Sequence, residues 1–501
     1  MFDKIRLKSK GNPLVLAALA TSPGSAPDKK QIYRNRYNYG VNIGGCFICE
    51  RWIFDQLAPD GCNCELEAVS RHVKDSGSDS TREKYESFWS LFLSDADWDW
   101  LQQHSVKSIR VPVGYWQIPG YAKNTKFASH AEVYKNAWSI VKSKFIEPAG
   151  EKNISVLIDL HGVPGGANGS DHSGEVSSGS AHFWSNSDFQ LQVVELLQFI
   201  AKDLKPYDNI AGIQVVNESE FANDNKAQIR FYSAAINSIR EVDQTIPIVI
   251  SDGWWPDQWV KWVQHEQSDS KSLGVVVDHH VYRCFDDRDK QKSPQQIIDD
   301  LDKDVLTNLT NNGDGVDFMV GEFSCVLDGE SWKRDGADAH RDDLVIQYGK
   351  RQLDIIKDRA SFGNYFWTYK FQSGNGGEWD FKTMTDKGAI SNPYDLRNKQ
   401  LPDSSVFDNE LNENAKNHEE YWNNQNPKEK YEHDRYKDGF TTGWMDSLEF
   451  AKFEGSVIGR IQAWKQSRLA EHIKAKGTSK HIWEWQQGFD TGVKQFKNNV
   501  H

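Results

Sequence analysis

Eight apolar, β-branched runs of strand length recur along the chain. They are YGVNIGG (39–45), VKSIRVPV (106–113), ISVLIDLHG (154–162), NIAGIQVVNE (209–218), IPIVISDG (246–253), GVVVDHHVY (274–282), VDFMVGEFS (316–324) and GNYFWTYK (363–370). They are near-continuous rather than alternating, as in strands buried on both faces. Helix-like segments separate them: DFQLQVVELLQFIAKDL (188–204), for instance, is apolar along one helical face. Strands alternating with helices in this way predict an α/β fold, a closed (β/α)8 TIM barrel. A doubly wound sheet is the rival, but no glycine-rich phosphate fingerprint opens a helix after the first strand.

In such a barrel the strand C-termini converge on one face and carry the active site. The polar residues that interrupt the runs fall there. Glu50 lies just past the first strand, Arg110 in the second, His161 at the end of the third, and Asn217 and Glu218 at the end of the fourth. His279, His280 and Tyr282 lie on the sixth, Glu322 on the seventh, Trp367 and Lys370 on the eighth. A charge desolvated without a partner is costly, so its repetition at strand ends points to a site. Glu218 and Glu322 form the pair that glycoside hydrolysis needs: one carboxyl protonates the leaving oxygen while the other attacks the anomeric carbon or activates water. Two like charges at short range also help to keep one of them protonated. Asn217 is placed to bond a sugar 2-hydroxyl and Arg110 to face Glu322. His280 and Tyr282 alternate on their strand and are expected to orient the nucleophile, with His279 pointing away. No H-x-H lies on the first strand, and neither metal nor cofactor is expected.

The formal charge of -13 argues against nucleic acid as a partner. No 18-residue apolar run exists, so no stable membrane insertion is expected. Cys46, Cys49, Cys62, Cys64, Cys284 and Cys325 read as reduced structural thiols, since the short-spaced pairs sit where neighbouring side chains diverge rather than share a zinc ion. The basic N-terminus has features of a signal peptide and of a mitochondrial presequence. Two glycosylation sequons fall on the candidate site, at Asn168 and Asn217. A cytoplasmic protein is expected, with mitochondria as the alternative. The chain divides into an N-terminal extension (1–37), the barrel (38–400) and, at 401–501, a polar linker or solvated helix plus a helical appendage. That appendage repeats a motif, GFTTG at 439–443 and GFDTG at 488–492, and is expected to dock on the barrel through Trp444, Trp464, Trp483 and Trp485; its protein partner is unknown.

GVNIGGCFICERWI, DLHGVPGGANGSDHSG, VVNES, VDHHVYRCF, VGEFS, FWTYK and EWDF, in this order, resemble glycoside hydrolase family 5, most closely its fungal exo-1,3-β-glucanase branch. The resemblance spans roughly residues 38 to 390. It implies retaining β-glucosidic hydrolysis with Glu218 as acid/base and Glu322 as nucleophile, surrounded by Arg110, His161, Asn217, His280 and Tyr282. It also implies that Glu50, Asp171 and Trp367 bind the terminal glucose and that Phe285 flanks the leaving group. Ser219 replaces the family's proline after the acid/base, which should loosen that turn, and Ser170 replaces an aromatic of the leaving-group clamp. The expected substrate is a carbohydrate or β-glucoside with a terminal β-linked glucosyl unit, on a β-1,3-glucan oligosaccharide or a small aglycone. The alternatives are a steryl or ceramide β-glucoside hydrolase of the same family and a non-catalytic carbohydrate-binding scaffold.

Overall fold

The computed structural model describes residues 24–175, 179–267, 272–307 and 315–501, together with the isolated positions 14 and 17. Almost all of the basic, targeting-like N-terminal segment thus lies outside the described residues. All eight expected strands form: β1 (Asn38–Asn42), β2 (Ser108–Gly114), β3 (Ser155–Gly162), β4 (Ile210–Gln214), β5 (Ile248–Ser251), β6 (Val275–Arg283), β7 (Asp317–Leu327) and β8 (Gly363–Phe366). They close into a parallel barrel in chain order. The seam pairs Asn38 of β1 with Gly363 of β8.

The near-continuous apolar runs reflect two separate cores. Leu157, Ala211, Val249, Val276, Met319 and Tyr365 pack together as one buried cluster, contributed by five strands and β8. Their strand neighbours Val156, Ile158, Val275 and Val277 belong to the larger cluster shared with the helices. Helix α1 (Lys29–Asn35) is closed by a capping box between Asp28 and Gln31. Helix α2 (Ser187–Leu204) starts at Asn186, whose side chain accepts the N–H groups of Asp188 and Phe189, and buries Val193, Val194, Leu197 and Ile200 against the barrel. Burying each such side chain contributes about 1.5–3 kcal/mol.

The C-terminal part comprises α3 (Ser404–Gln425), α4 (His433–Lys452), α5 (Ile461–Lys476) and α6 (Ile482–Asn498). The repeated motif has a steric cause. A Cβ on Gly439 would sit 2.0 Å from the Trp485 carbonyl oxygen, and one on Gly488 would sit 2.0 Å from that of Tyr436. The two GF-x-TG motifs therefore let α4 and α6 cross backbone to backbone. Of the two readings of the polar segment, the helix forms: α3 is largely exposed, with Ala415 and His418 buried against its neighbours. The tryptophans divide: Trp464 and Trp485 share a buried cluster with Ile32 of α1, whereas Trp444 lies in a core built mainly by the appendage helices and Trp483 packs on Trp422 at 4.5 Å.

Docking also uses backbone and charge at the N-terminal ends of the strands. Arg36 bridges Ile458, and Tyr37 N–H donates to the Val457 carbonyl. Asp317, which opens β7, accepts N–H bonds from Gln462 and Ala463. Asn153, just before β3, donates to Glu454 at 2.9 Å. The appendage is thus on the opposite end of the barrel from the catalytic face.

Candidate active site

Beyond β4 the chain turns sharply. Glu218 has φ +33, a conformation that costs a non-glycine residue about 1–3 kcal/mol. Bonds on both sides hold it there: Asn168 Nδ2 donates to the Glu218 carbonyl at 2.9 Å, and Glu220 N–H to that of Ala167 at 3.1 Å. Ser219 does not loosen this turn. Its N–H, which a proline lacks, donates to Ser251 Oγ at 2.9 Å.

Glu322 arrives by a register shift. The β6–β7 ladder slips between His279 and His280, so that His280 pairs with Glu322. Gly321 makes this feasible: a Cβ there would lie 2.3 Å from Asp278 Oδ1, and instead the Gly321 N–H donates to that oxygen at 2.7 Å. A carboxylate oxygen from Glu218, one from Glu322 and a nitrogen of His280 lie within 4.8 Å of one another.

Glu322 is gripped from two sides. Arg110 Nη1 donates to Oε1 at 2.9 Å, and Tyr282 Oη donates to Oε2 at 2.8 Å. Arg110 is itself fixed by Asp159 at 3.0 Å, by Gln214 at 2.9 Å and by Asn42 and Asn217, each at 2.7 Å. Burial pushes the Tyr282 hydroxyl well above its ordinary range, and the charge of Glu322 adds to this, so the phenol stays a donor.

Glu218 lies between two imidazoles. His280 Nδ1 is 2.8 Å from Oε1, nearer than its 3.6 Å approach to Glu322, so His280 serves chiefly the fourth-strand carboxylate rather than the nucleophile position expected for it. Burial would lower the His280 imidazole, but Glu322 and Asp278 outweigh it and hold it well above its usual range. Both ring nitrogens then donate, Nε2 to Asp278 at 2.9 Å. His172 Nε2 is 3.1 Å from Glu218 Oε2. Burial opposes its charge too, yet Glu218 raises it to about 9. For Glu218, burial favours the neutral acid, but the charges and hydrogen bonds of His172 and His280 prevail and keep it well below the usual carboxylate range. Like-charge repulsion with Glu322 is therefore not what sets its protonation.

The remaining expected residues sort clearly. Glu50, His161, Phe285 and Trp367 line a cavity of ≈ 480 Å³ together with Glu218, Tyr282 and Glu322. Burial raises the Glu50 carboxyl to about 7. Burial keeps His161 below its ordinary value despite Asp159, 2.6 Å from its Nδ1. Its Nε2 is then an acceptor for Asn217 Nδ2 at 3.3 Å, which leaves the second amide hydrogen of Asn217 for a sugar hydroxyl. Asp171 is the exception: it is exposed, and its neighbours Ser170 and His172 line the cavity in its place. His279 bonds Asp252 at 2.7 Å and Lys370 pairs with Asp97 at 3.2 Å, so neither joins the carboxylate pair.

Four lining residues were not singled out from the sequence: Trp52, His172, Trp254 and Trp379. The WW pair after β5 and the DH step before a glycine were the available signals. Trp52 and Trp379 meet edge to face at 5.3 Å and continue through Tyr282 to Phe285, forming an aromatic wall. Phe221 and Trp255 stack on each other at 6.1 Å at the ends of β4 and β5 and are exposed, like Trp254.

All six cysteines are free and buried, and Cys49 and Cys62 pack with Ala58 and Ala68 in an apolar cluster. Glu218, His280 and Glu322 have donor atoms close enough to hold a cation. Arg110 already neutralises Glu322, and a dication would have to displace the proton by which His280 bonds Glu218, so the set suits proton transfer better than coordination.

A closed parallel barrel with opposed carboxylates at the ends of its fourth and seventh strands has the architecture of a glycoside hydrolase. The chain belongs to glycoside hydrolase family 5: residues 73–373 match the model Cellulase (glycosyl hydrolase family 5), and residues 405–500 match the Glucan 1,3-beta-glucosidase 3 C-terminal domain. It is 37% identical to the uncharacterized glycosyl hydrolase YBR056W of Saccharomyces cerevisiae, over 99% of this chain and 98% of that protein. It is 36% identical to Glucan 1,3-beta-glucosidase 3 of Schizosaccharomyces pombe, over 92% of this chain and 96% of that protein. The fold is shared with the rutinosidase from Aspergillus niger, with a TM-score of 0.56 at 18% identity, covering 73% of this chain and 99% of that one.

Proposed function

We propose that the protein removes terminal β-linked glucosyl units from β-1,3-glucan oligosaccharides by double displacement. The observation that carries this is the placement of Glu218 and Glu322 oxygens within 4.8 Å of each other across one cavity. That is near the roughly 5–5.5 Å of retaining enzymes and well short of the gap an inverting enzyme leaves for water. Glu322, steadied by Arg110 and Tyr282, attacks the anomeric carbon. Glu218 gives its proton to the departing oxygen, then takes one from the water that hydrolyses the glucosyl–Glu322 ester. In the free site Glu218 and His172 form an ion pair. A bound sugar displaces water, and desolvation favours the neutral pair of imidazole and carboxylic acid, which puts the proton on Glu218 when the leaving oxygen needs it. Trp367 offers the glucose a flat face, and Glu50 a buried acceptor. The name of the fission yeast relative supports the 1,3-linkage.

Turnover of a fluorogenic aryl β-glucoside and of β-1,3-gluco-oligosaccharides by the wild type, lost in Glu322→Gln, is the test. No turnover of either by the wild type between pH 4 and 8 overturns the reading.

An apolar aglycone is the second reading, and the exposed aromatics Trp52, Trp254, Trp255 and Phe285 favour it. The C-terminal helices take no part in that mouth, because they pack on the other end of the barrel. Comparing a steryl β-glucoside with an oligosaccharide of equal concentration decides between the two.

A further inference from the structure

The C-terminal helices hold a second cluster of titratable groups that glycoside hydrolysis does not use. Glu484, in the first turn of α6, is completely buried. Its Oε2 lies 3.0 Å from His418 Nε2 on α3 and 2.8 Å from His433 Nδ1 at the start of α4. Its Oε1 accepts the Glu432 N–H at 2.8 Å and lies 3.9 Å from Nδ1 of His481, the N-cap of α6. His481 is 5% exposed, and its buried Nδ1 makes no hydrogen bond.

We propose that His418, His433, His481 and Glu484 form a zinc site that ties the start of α4 and the start of α6 to α3. Three imidazole nitrogens and one carboxylate oxygen, with no thiolate, suit zinc, and four protein ligands with no open position are the pattern of a structural centre. Tetrahedral ligands 2.0–2.1 Å from zinc lie about 3.3 Å from one another. His433 Nδ1 and His418 Nε2 lie 2.8 and 3.0 Å from Glu484 Oε2, and the donor atoms of these three residues are within 4.8 Å of one another; His481 Nδ1, 3.9 Å from Oε1, moves inward to complete the set.

The outer contacts are those a metal-binding histidine needs. His433 Nε2 faces Asn423 Oδ1 at 3.3 Å, and His481 Nε2 faces Glu429 Oε1 at 3.1 Å. Once a metal takes Nδ1, these acceptors hold the remaining ring proton on Nε2. On binding, the two bonds that Oε2 accepts are exchanged for coordination, and any proton on a coordinating nitrogen is released. Packing holds the rings in place: Tyr436 stacks on His418 at 4.0 Å, and Tyr431 on His433 at 5.4 Å.

The test uses the full chain, stripped with a chelator, dialysed and titrated with zinc. Metal content after desalting and the thermal unfolding midpoint are the two readouts. The expected result is one zinc per chain and a midpoint raised by several degrees, with both effects lost in His433→Ala and kept in Glu218→Gln. His433 is partly exposed, so the alanine variant is expected to fold; the midpoint of its zinc-free form against that of the zinc-free wild type checks this. If His433→Ala fails to fold, X-ray absorption on the zinc-loaded wild type decides, with three nitrogens and one oxygen expected at about 2.0–2.1 Å. Zinc binding that is absent in the wild type, unchanged in His433→Ala, or lost in Glu218→Gln overturns the proposal, as does an absorption spectrum lacking imidazole ligands.

Discussion

Replacing His172 by Asn removes the cation beside Glu218 while keeping a polar side chain of similar length. Raising an imidazole from 6.5 to about 9 corresponds to about 3 kcal/mol, at 1.36 kcal/mol per pH unit. The His172 side chain is 24% exposed, and water screens part of that interaction, leaving about 2 kcal/mol. The folded-state value is raised, so this stability is fully present below pH 6.5 and is lost as the pH rises through about 9. Urea unfolding of wild type and variant across pH 6 to 10 measures it directly. The wild type should exceed the variant by about 2 kcal/mol at pH 6, and the curves should meet above about pH 9. The same proton serves the proposed acid step, so the alkaline limb of kcat/KM should move toward lower pH by about 1–2 pH units in the variant. Stability curves that run parallel at all pH values, with an unmoved alkaline limb, refute the ion pair and the role given to it.

Tyr282→Phe removes one hydrogen bond to Glu322 and leaves Arg110 in place; kcat/KM should fall about 10- to 150-fold, for a charged-acceptor bond of about 1.5–3 kcal/mol, with little change in the unfolding midpoint. Gly488→Ala drives a Cβ into the Tyr436 carbonyl and should lower the unfolding midpoint markedly, because backbone rather than a flexible side chain must give way. Trp254→Ala should reduce kcat/KM more for an apolar β-glucoside than for an oligosaccharide if the exposed aromatics hold the aglycone; equal losses rule that role out.

Much of the barrel was legible because buried strands must be apolar on both faces, and the runs that end in Glu218 and Glu322 could deliver those side chains to only one face. The resemblance to family 5 added roles that periodicity alone does not give. What escaped was set by contacts between segments remote in sequence. His172 meets Glu218 through a loop whose one-turn geometry decides which of Ser170, Asp171 and His172 reaches the cavity, and the family pattern pointed to Asp171, which is exposed and does not line it. His280 seemed a partner for Glu322 because it alternates with Tyr282 on the sixth strand, but the register shift beside Gly321 leaves its Nδ1 closer to Glu218. Trp464 and Trp485 do meet Ile32 of α1, but the rest of the docking uses main-chain groups and ordinary polar residues at strand N-termini, such as Asn153 and Asp317, that carry no composition signal.

In the proposed reaction Glu322 forms a covalent bond to glucose while Glu218 manages the proton. A 2-deoxy-2-fluoro-β-glucoside with a good leaving group should inactivate the wild type and leave a fluoroglucosyl ester on the peptide containing Glu322, detectable by mass spectrometry. An adduct on another residue, or release of α-glucose as the first product from an ordinary β-glucoside, contradicts it.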